Sequence, residues 1–500
     1  MSNLAINLVR AARRVPDRAA LISDTAVMSY AELDSAAARL ATLLHRNGIG
    51  IGDRVGVMAP NIAMAPIAYY GIWRIGAIAI PMNPLMQARE VGFYLSNTGA
   101  RALIGTPGFA AAATAAAEAT EAKLWLVDDA ELGRLTGDLA EFGDPVERAG
   151  TDTAVVLHTS GTTGKPKGAE LTHGSLGSNQ DVVMRLLKLT EDDVVLGCLP
   201  LFHVFGMTCA MNAAISAGAT LSLLARFDPA RAVERISHDR VSVFEGVPTM
   251  FSALLSVAGQ FQPEATESLR ICVSGGAAMP VAVLDEFEEA FDAIVLEGYG
   301  LSETSPAVSF NQPDTQRKAG SIGTPIEGVQ MRLVDDAGME VPAGTRGEIE
   351  VKGPNVMKGY WNLPDATAAA IRDGWFATGD IGVVDADGYY YVVDRKKELI
   401  IRGGYNVYPR EVEEALREHP AVAAAVVVGM PHDSLGEEVG AAVMLKNGAA
   451  VSAEELRQFA KERVAAYKYP RRIWFVDSLP TGPTGKVLRR EVKPPPDEEG

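Results

Sequence analysis

Short apolar runs alternate with helical segments along residues 1–394, and this alternation is the strongest constraint on the fold. Each run is a few residues long, as in strands that are buried on both faces, and turn or helix signals separate the runs. The runs are Arg54–Met58, Ile78–Pro81, Leu124–Val127, Ala154–Leu157 and Ile294–Glu297. Strands that alternate with helices build parallel sheets covered by helices. We therefore predict a large amino-terminal domain of layered α/β subdomains.

The pattern changes near Ser321. Strand-forming residues dominate from Met331 to Val351 and again at Tyr389–Val393. Aspartate and glycine cluster at 335–338 and 385–388, between aromatic and β-branched runs, which is typical of hairpin turns. A β-rich subdomain is therefore predicted at the end of the large domain.

A smaller unit follows the basic cluster at 395–397. Its pattern reads strand, helix, strand, strand, helix, strand, which predicts a small, mobile α+β domain. Residues 395–500 carry a net charge of +1, whereas residues 1–394 carry −18. The domains are therefore predicted at 1–394 and 395–500, with a hinge near Lys397.

Composition excludes several classes of protein. The net charge of −17 offers no basic face for nucleic acid and argues against docking on anionic lipid. The cysteines Cys198, Cys209 and Cys272 lie in apolar stretches without disulfide or metal-ligand spacing, so buried thiols in a reducing cytoplasm are predicted. The most apolar stretch, Phe205–Leu224, is broken by glycines and polar residues and is predicted as buried core, not as a transmembrane segment. A monomer and a homodimer both remain open.

The strand signal at Ala154–Leu157 leads directly into HTSGTTGKPKGAELTH, residues 158–173. Glycines let backbone N–H groups turn toward an anion, hydroxyls add donors and lysines add charge, so this loop is predicted to bind phosphate. It is not a Walker A loop, which needs four residues between its glycines and Ser or Thr after the lysine. Two residues separate Gly161 from Gly164, and Pro166 follows Lys165.

This loop resembles the signature loop of the adenylate-forming superfamily, which includes acyl-CoA synthetases, firefly luciferase and the adenylation domains of peptide synthetases. Other motifs follow in the family order, so the resemblance covers nearly the whole chain. It implies activation of a carboxylic acid to acyl-AMP and transfer to CoA, with ATP, Mg²⁺ and CoA required. The implied ATP-binding residues of the loop are Thr159, Ser160, Gly161, Thr162, Thr163, Gly164 and Lys167.

Two further motifs complete the implied nucleotide site. In EGYGLSET, residues 297–304, the resemblance implies that Tyr299 packs on adenine, Glu303 holds Mg²⁺ and Thr304 contacts phosphate. A hard divalent ion that bridges phosphates needs carboxylate oxygen, which agrees with Glu303. The small residues of 274–278 are implied to line the adenine and acyl cavity. The nucleotide-binding residues of both motifs are Gly275, Gly276, Ala277, Glu297, Gly298, Tyr299 and Gly300.

The remaining motifs lie nearer the carboxyl end. Asp380 is implied to accept both ribose hydroxyls, and Arg395 to reach the ribose or phosphate. Lys486 is implied to lie between the carboxylate and the α-phosphate, two anions that need a cation between them. In the second half-reaction the small domain is expected to turn about Lys397 and to present Gly403 and Gly404 to CoA.

The segment PLFHVFG, residues 200–206, resembles the wall of the family's acyl tunnel. His203, Phe205, Gly206 and Gly276 are the implied acyl-pocket residues, and the implied catalytic set is Lys486, Glu303, His203 and Thr304. An open, apolar tunnel favours a medium- or long-chain fatty acid, and the motif segments offer no arginine to bind a second carboxylate, which argues against malonate. An aryl-acid CoA ligase and an acyl-AMP ligase that serves a carrier protein remain alternatives.

Overall fold

The computed structural model describes residues 3–159, 166–396, 398–402, 405–432, 435–482 and 487–495. The chain forms two compact units, Met1–Met331 with Val351–Phe376 and Arg332–Glu350 with Ala377–Gly500. The second unit therefore includes part of the β-rich segment that the sequence places in the large domain. The domain limits 1–394 and 395–500 stay a prediction.

Helices occur in both units. One π-helix spans Phe205–Asn212, and short 3-10 helices include Ser302–Thr304 and Arg489–Glu491. Among the described residues the α-helices are α1 (Ala5–Arg14), α2 (Tyr30–Arg46), α3 (Met64–Arg74), α4 (Ala88–Thr98), α5 (Ala110–Thr120), α6 (Asp129–Thr136), α7 (His173–Leu186), α8 (Ala213–Ala217), α9 (Pro229–Asp239), α10 (Pro248–Ala258), α11 (Val281–Phe291), α12 (Pro364–Ala370), α13 (Pro409–Arg417) and α14 (Ala453–Lys461).

The strands are grouped into four sheets. In chain order they are β1 (Ala19–Ile22), β2 (Val27–Ser29), β3 (Arg54–Met58), β4 (Ile78–Met82), β5 (Ala102–Gly105), β6 (Lys123–Leu126), β7 (Thr153–Thr159), β8 (Lys167–Thr172), β9 (Val194–Gly197), β10 (Thr220–Leu223), β11 (Val243–Gly246), β12 (Ile271–Ser274), β13 (Ile294–Gly300), β14 (Ala307–Phe310), β15 (Thr324–Pro325), β16 (Gln330–Val334), β17 (Gly347–Lys352), β18 (Gly359–Tyr360), β19 (Ile371–Arg372), β20 (Trp375–Val384), β21 (Tyr390–Arg395), β22 (Ile400–Arg402), β23 (Tyr405–Val407), β24 (Val422–His432), β25 (Gly436–Leu445) and β26 (Arg472–Phe475).

A nine-stranded sheet in the first unit has the order β15-β14-β13-β12-β11-β9-β10-β1-β2. Neighbours from β13 to β1 are parallel, and the outer pairs are antiparallel. Helices α9, α10 and α11 cover one face, where Phe244, Phe251 and Phe287 share a core. The rings of Phe251 and Phe287 meet edge to face, with centroids 4.8 Å apart. The predicted parallel α/β layers are therefore confirmed.

A seven-stranded sheet in the same unit has the order β18-β8-β7-β4-β3-β5-β6. The strands from β7 to β6 are parallel, whereas β8 and β18 add antiparallel pairs. Four of its seven strands are the predicted runs near residues 54, 78, 124 and 154, and β3 has the predicted limits. Strand β7 ends at Thr159, so it leads directly into the predicted phosphate-binding loop.

Two further sheets complete the fold. One has the order β16-β17-β20-β19, with β21 beside β20, and the other has the order β23-β22-β25-β24, with β26 beside β25. The second of these lies in the second unit, where α13 and α14 contribute to its core. From α13 onward the succession of helix, strand, strand, helix and strand is as predicted, but two paired strands, β22 and β23, precede α13 where one was predicted. The strands β24 and β25 are longer than predicted because they pair with each other along almost their whole length.

The apolar segment predicted as buried core contains the π-helix, α8 and β10. Every residue of the π-helix is buried, and so are all three cysteines. In the described part of the chain, no helix is both long and apolar enough to cross a bilayer.

One acidic side chain is enclosed in the first unit. Glu245, on β11, has 0% of its surface exposed, and neither of its carboxyl oxygens has a hydrogen-bond partner among the residues that the structure describes. Burial raises the pKa of this carboxyl from 4.5 to about 8, because the charged form is not solvated there. Glu245 is therefore a neutral carboxylic acid at neutral pH.

We expect the substitution Glu245→Gln to stabilise the protein more near pH 9 than near pH 5. Unfolded, this carboxyl ionises near pH 4.5; folded, it keeps its proton to about pH 8. The folded state thus binds more protons between these values, and its stability falls as the pH rises through that window. Glutamine cannot ionise, so the stabilisation by Glu245→Gln should increase through this pH range and reach at most about 5 kcal/mol above it.

Thermal denaturation followed by circular dichroism at both pH values measures this gain. The matched control is Glu118→Gln, which changes an exposed carboxyl on α5 and should alter the melting temperature little at either pH. A gain for Glu245→Gln that is equal at both pH values would contradict the assignment.

Candidate functional site

The predicted phosphate loop and the predicted Mg²⁺ residue meet in the first unit. Thr159 ends β7, and Glu303 lies in the 3-10 helix that follows β13. The hydroxyl of Thr159 donates a hydrogen bond to Oε1 of Glu303 over 3.2 Å. The carboxyl ends of β7 and β13, one strand from each large sheet, therefore lie close together at the Glu303 carboxylate.

Tyr360 is part of this cluster although the motifs do not include it. Its hydroxyl donates to Oε1 of Glu303 over 3.1 Å, and the Nζ of Lys167 lies 5.0 Å from the centre of its ring. Burial, followed by the charge of Glu303, raises the pKa of the Tyr360 phenol, so it stays a donor at neutral pH. Tyr360 reaches the site because β18 pairs with β8, which places it opposite Ala169. The only sequence signal is an aromatic pair after Gly359, which is too general to indicate function.

The geometry of Glu303 fits a magnesium ion bound together with phosphate. Both hydroxyl donors use Oε1, and a carboxylate has about four lone-pair positions, which leaves capacity for a cation. No set of three or more His, Cys, Asp and Glu side chains is placed to hold a metal within the described ranges. Mg²⁺ usually takes one or two carboxylates and completes its shell with substrate phosphates and water, so one glutamate beside a phosphate loop is sufficient.

The turn from β13 to β14 explains the glycines of this motif. A side chain at Gly298 would collide with the ring of Phe310, and one at Gly300 would collide with the carbonyl of Pro306. Thr304 is fully buried, accepts the N–H of Leu301 over 2.9 Å and donates to the oxygen of Pro306 over 2.5 Å. These contacts fix the turn that carries Glu303; phosphate contact by Thr304 remains a prediction.

The predicted adenine residues occupy the ends of two adjacent strands, β12 and β13. Tyr299 is half-buried on β13, opposite Ser309 of β14. Glu297 is buried, and one of its carboxylate oxygens accepts the N–H of Gly320 over 2.8 Å. After β12, Gly276 has φ +79°, a conformation that favours glycine, and Ala277 is exposed. The parallel pairing of β12 with β13 therefore brings both segments to one sheet edge.

The predicted acyl residues surround the start of the π-helix. The ring nitrogen Nδ1 of His203 accepts the N–H of Phe205 over 3.3 Å. A Cβ at Gly206 would lie 2.5 Å from the carbonyl oxygen of Pro200, so this position needs glycine. A Cβ at Gly275 would lie 3.0 Å from the ring of Phe205, which places the β12 exit against the π-helix. π-Helical segments occur frequently at functional sites.

Asp380 and Arg395 are neighbours in the second unit. They lie opposite each other in the antiparallel pair β20 and β21. Asp380 is 4% exposed, and its N–H donates to Oγ1 of Thr378 over 3.0 Å. The two predicted ribose contacts thus share one strand pair.

Arg489 connects two predicted catalytic segments of the second unit. Its guanidinium donates to Glu413 over 2.8 Å and lies 3.2 Å from Glu398, which follows the predicted hinge residue Lys397 in the sequence. Arg489 itself comes three residues after Lys486. The predicted residues that lie outside the described ranges are Ser160, Gly161, Thr162, Thr163, Gly164, Lys397, Gly403, Gly404 and Lys486.

Known proteins resemble this chain over almost its whole length. The sequence model for the AMP-binding enzyme family matches residues 8–361, and that for the AMP-binding enzyme C-terminal domain matches residues 411–486. The long-chain-fatty-acid–CoA ligase of Bacillus subtilis (strain 168) is 37% identical, over 97% of this chain and 93% of that protein. The feruloyl-CoA synthase of Amycolatopsis sp. is 38% identical over 97% of each chain.

A solved structure agrees with the fold. The crystal structure of ATP-bound MatB from Rhodopseudomonas palustris matches with a TM-score of 0.93 and 32% identity, over 98% of this chain and 97% of that one. The expected fold and enzyme class, an acid–thiol ligase, are confirmed, and ATP, Mg²⁺ and CoA are what AMP-forming CoA ligases use. Relatives of nearly equal identity are named for a fatty acid and for an aryl acid. The chain belongs to the AMP-binding enzyme family, the adenylate-forming enzymes that its motifs resemble.

Proposed function

We propose that the chain is an acyl-CoA synthetase that activates a carboxylic acid with ATP and transfers the acyl group to CoA. The observation that carries this proposal is the cluster at Glu303, where the end of the phosphate-loop strand, the carboxylate predicted to bind Mg²⁺ and a neutral phenol donor converge. A module that only bound a nucleotide would not need a lysine between the attacking carboxylate and the α-phosphate, so Lys486 distinguishes the two functions.

In the first half-reaction a carboxylate oxygen of the acid attacks the α-phosphorus of ATP, and pyrophosphate leaves. The attack joins two anions, so a cation between them lowers the barrier, and Lys486 is proposed for this position. Bound Mg²⁺ would neutralise phosphate charge beside Glu303. Tyr360 holds the orientation of Glu303 by its hydrogen bond, while its ring faces the ammonium of Lys167.

In the second half-reaction the sulfur of CoA attacks the acyl carbon of the mixed anhydride. The bond from that carbon to the phosphate oxygen breaks, AMP leaves with the bonding electrons, and the thiol proton is lost to solvent. Gly403 and Gly404 are proposed to line the approach of the thiol, since residues without bulky side chains allow close approach. Lys397 is proposed as the hinge that exchanges the two states.

The acyl group is proposed to be largely apolar. Phe205 and the glycines around it favour a medium- or long-chain fatty acid, and the fatty-acid ligase of Bacillus subtilis supports this class. The feruloyl-CoA synthase supports an aryl acid as the second candidate. A third candidate function is an acyl-AMP ligase, in which a carrier protein replaces CoA as the acceptor of the acyl group. We also propose a cytoplasmic location and leave a monomer and a homodimer open.

The proposal is tested by AMP release from ATP and Mg²⁺, with and without CoA, over straight-chain acids of increasing length together with benzoate and cinnamate. We expect AMP formation that depends on both the acid and CoA. Pyrophosphate release without any effect of CoA would point to an acyl-AMP ligase, and release of neither product with any acid would overturn the proposal.

We expect Tyr360→Phe to lower kcat/KM by about tenfold and to raise the Mg²⁺ concentration needed for half-maximal rate. The variant loses one hydrogen bond to a charged group, which contributes about 1.5–3 kcal/mol, but keeps the ring that faces Lys167. Glu303→Gln should change both quantities in the same direction and further, because it removes the negative charge itself.

Magnesium titrations of the initial rate provide the measurement. Tyr30→Phe is the matched control, because the Tyr30 hydroxyl also donates a buried hydrogen bond, to Ala219 over 2.6 Å, away from the site. The Tyr30→Phe variant should be less stable than the native enzyme but should need the same Mg²⁺ concentration for half-maximal rate. Superimposable titration curves for Tyr360→Phe and the native enzyme would refute the role of the phenol.

We expect Lys486→Ala to separate the half-reactions. Formation of acyl-AMP should fall by about 10²-fold or more, because the cation between two anions is lost. Conversion of supplied acyl-AMP to acyl-CoA should change by less than about threefold, since that step does not join two anions. Pyrophosphate release and thioester formation are measured separately, with the exposed Lys493→Ala as control. Equal loss of both steps would contradict this assignment.

A further inference from the structure

A buried carboxylate lies near the end of β21, just before the predicted hinge. Asp394 is buried although it comes only three residues before Lys397. It directly precedes Arg395, which lies opposite Asp380 in the strand pair of the predicted ribose contacts. A buried carboxylate is costly unless N–H groups or cations compensate its charge. The partners of Asp394 therefore indicate what this position does.

The first partner is the start of α13, which follows the predicted hinge. Oδ2 of Asp394 accepts the N–H of Arg410 over 2.9 Å. Arg410 is the second residue of α13, and the N-cap residue Tyr408 makes no side-chain capping hydrogen bond within the part of the chain that the structure describes. Asp394 therefore caps the helix from the other side of the hinge, with its charge at the positive end of the helix dipole. The guanidinium of Arg410 also donates, over 2.6 Å, to the carbonyl of Val392 on β21.

The second partner is Arg489, in the segment that follows the predicted catalytic lysine. Its guanidinium lies 3.8 Å from Oδ1 of Asp394, in addition to its contacts with Glu398 and Glu413. Glu398, Glu413 and Arg489 all follow the predicted hinge in the sequence, so they would move together if the small domain turned. The contact with Asp394 joins this group to a residue that precedes the hinge.

A contact at the surface joins the same two sides of the hinge. The guanidinium of the exposed Arg346 lies 4.4 Å from the centre of the Tyr408 ring and 3.6 Å from a carboxylate oxygen of Glu411. Arg346 precedes the predicted hinge, whereas Tyr408 and Glu411 follow it, and all three belong to the second unit. A large turn about Lys397 would break this contact together with those of Asp394, because α13 would leave the end of β21.

We propose that Asp394 is a positioning residue that holds the small domain in the arrangement in which acyl-AMP forms. This inference rests on the proposed synthetase function and its hinge, and it names the residue that favours one half-reaction over the other. The contact with Asp394 keeps Arg489 beside the strand pair of the predicted ribose contacts. Lys486 is three residues before Arg489 in the sequence, and three residues span at most about 11 Å. The described arrangement therefore suits the step that needs this lysine at the nucleotide.

The burial of Asp394 makes the choice between arrangements discrete. When α13 moves away, the carboxylate loses one hydrogen bond and one ionic contact at the same time. A buried charge that loses its partners is strongly destabilising, so intermediate positions of the small domain are disfavoured. Removing the carboxylate should therefore shift the population toward the arrangement that forms the thioester.

The test measures the two half-reactions separately, as pyrophosphate release from ATP, Mg²⁺ and acid, and as thioester formation from supplied acyl-AMP and CoA. We expect Asp394→Ala to lower the first rate by about tenfold or more, since hydrogen bonds to a charged group are lost, and not to lower the second. Asp394→Asn keeps an oxygen that accepts the N–H of Arg410 and should lose less of the first rate. The matched control is Asp387→Ala, an exposed position between β20 and β21, which should change neither rate.

A surface variant tests the inference without disturbing a buried group. Arg346→Met removes the contacts with Tyr408 and Glu411 and should lower pyrophosphate release by about two- to fivefold, the size of an exposed cation–π contact, while thioester formation is retained. Arg372→Met, which changes an exposed arginine on β19, serves as its control and should leave both rates unchanged. Circular dichroism verifies that every variant is folded.

The outcomes separate this inference from the function on which it rests. Equal loss of both half-reactions in Asp394→Ala and Arg346→Met would show a role in stability alone and would overturn the inference. Loss of thioester formation with native pyrophosphate release, or native rates of both steps, would also overturn it, while CoA-dependent turnover by the native enzyme still supported the synthetase. Absence of turnover by the native enzyme with every acid would instead remove the synthetase function itself.

Discussion

Hydrogen bonds to the carboxylate of Glu303 connect the two large sheets of the first unit. One sheet contributes Thr159 and Tyr360, and the other contributes Glu303 through the turn after β13. Both hydroxyls donate to the same oxygen, so their positions and that of the phosphate-loop strand are linked. A charge-assisted hydrogen bond is stronger than a neutral one, which makes this carboxylate an effective junction. The proposed metal and phosphate chemistry depends on that junction.

Backbone packing supports this junction at several glycines. Gly298 and Gly300 allow β14 to return directly beside β13, and Gly206 allows the π-helix to start beside Pro200. Such residues are often interpreted as ligand contacts because they lie in motifs. Here the structure gives them a second physical reason, which is that a Cβ would collide with neighbouring backbone or with an aromatic ring. Motif glycines therefore shape the site even where they touch no ligand.

Glu245 and Glu303 show how environment gives two glutamates different chemistry. Glu303 accepts hydrogen bonds from two hydroxyls and lies beside a lysine-bearing strand. Glu245 has no hydrogen-bond partner, and burial keeps it protonated at neutral pH. The first is suited to a cation, whereas the second stays neutral. Their different surroundings assign Glu303 to the proposed phosphate chemistry and make the stability of the fold depend on the ionisation of Glu245.

The sequence by itself determined the parallel α/β layers, the order of elements from α13 to the last strand and the family, because apolar periodicity and contiguous motifs are local properties of the chain. It did not indicate Tyr360, whose role follows from the pairing of β18 with β8, or the π-helix, since an apolar run has no period that distinguishes it from an α-helix. Glu245 lies in an apolar run as one acidic residue, and only tertiary packing decided that its carboxyl is buried without a hydrogen-bond partner among the described residues. Strand pairing and burial are set by residues far apart in sequence, and for that physical reason the tertiary structure alone decided them.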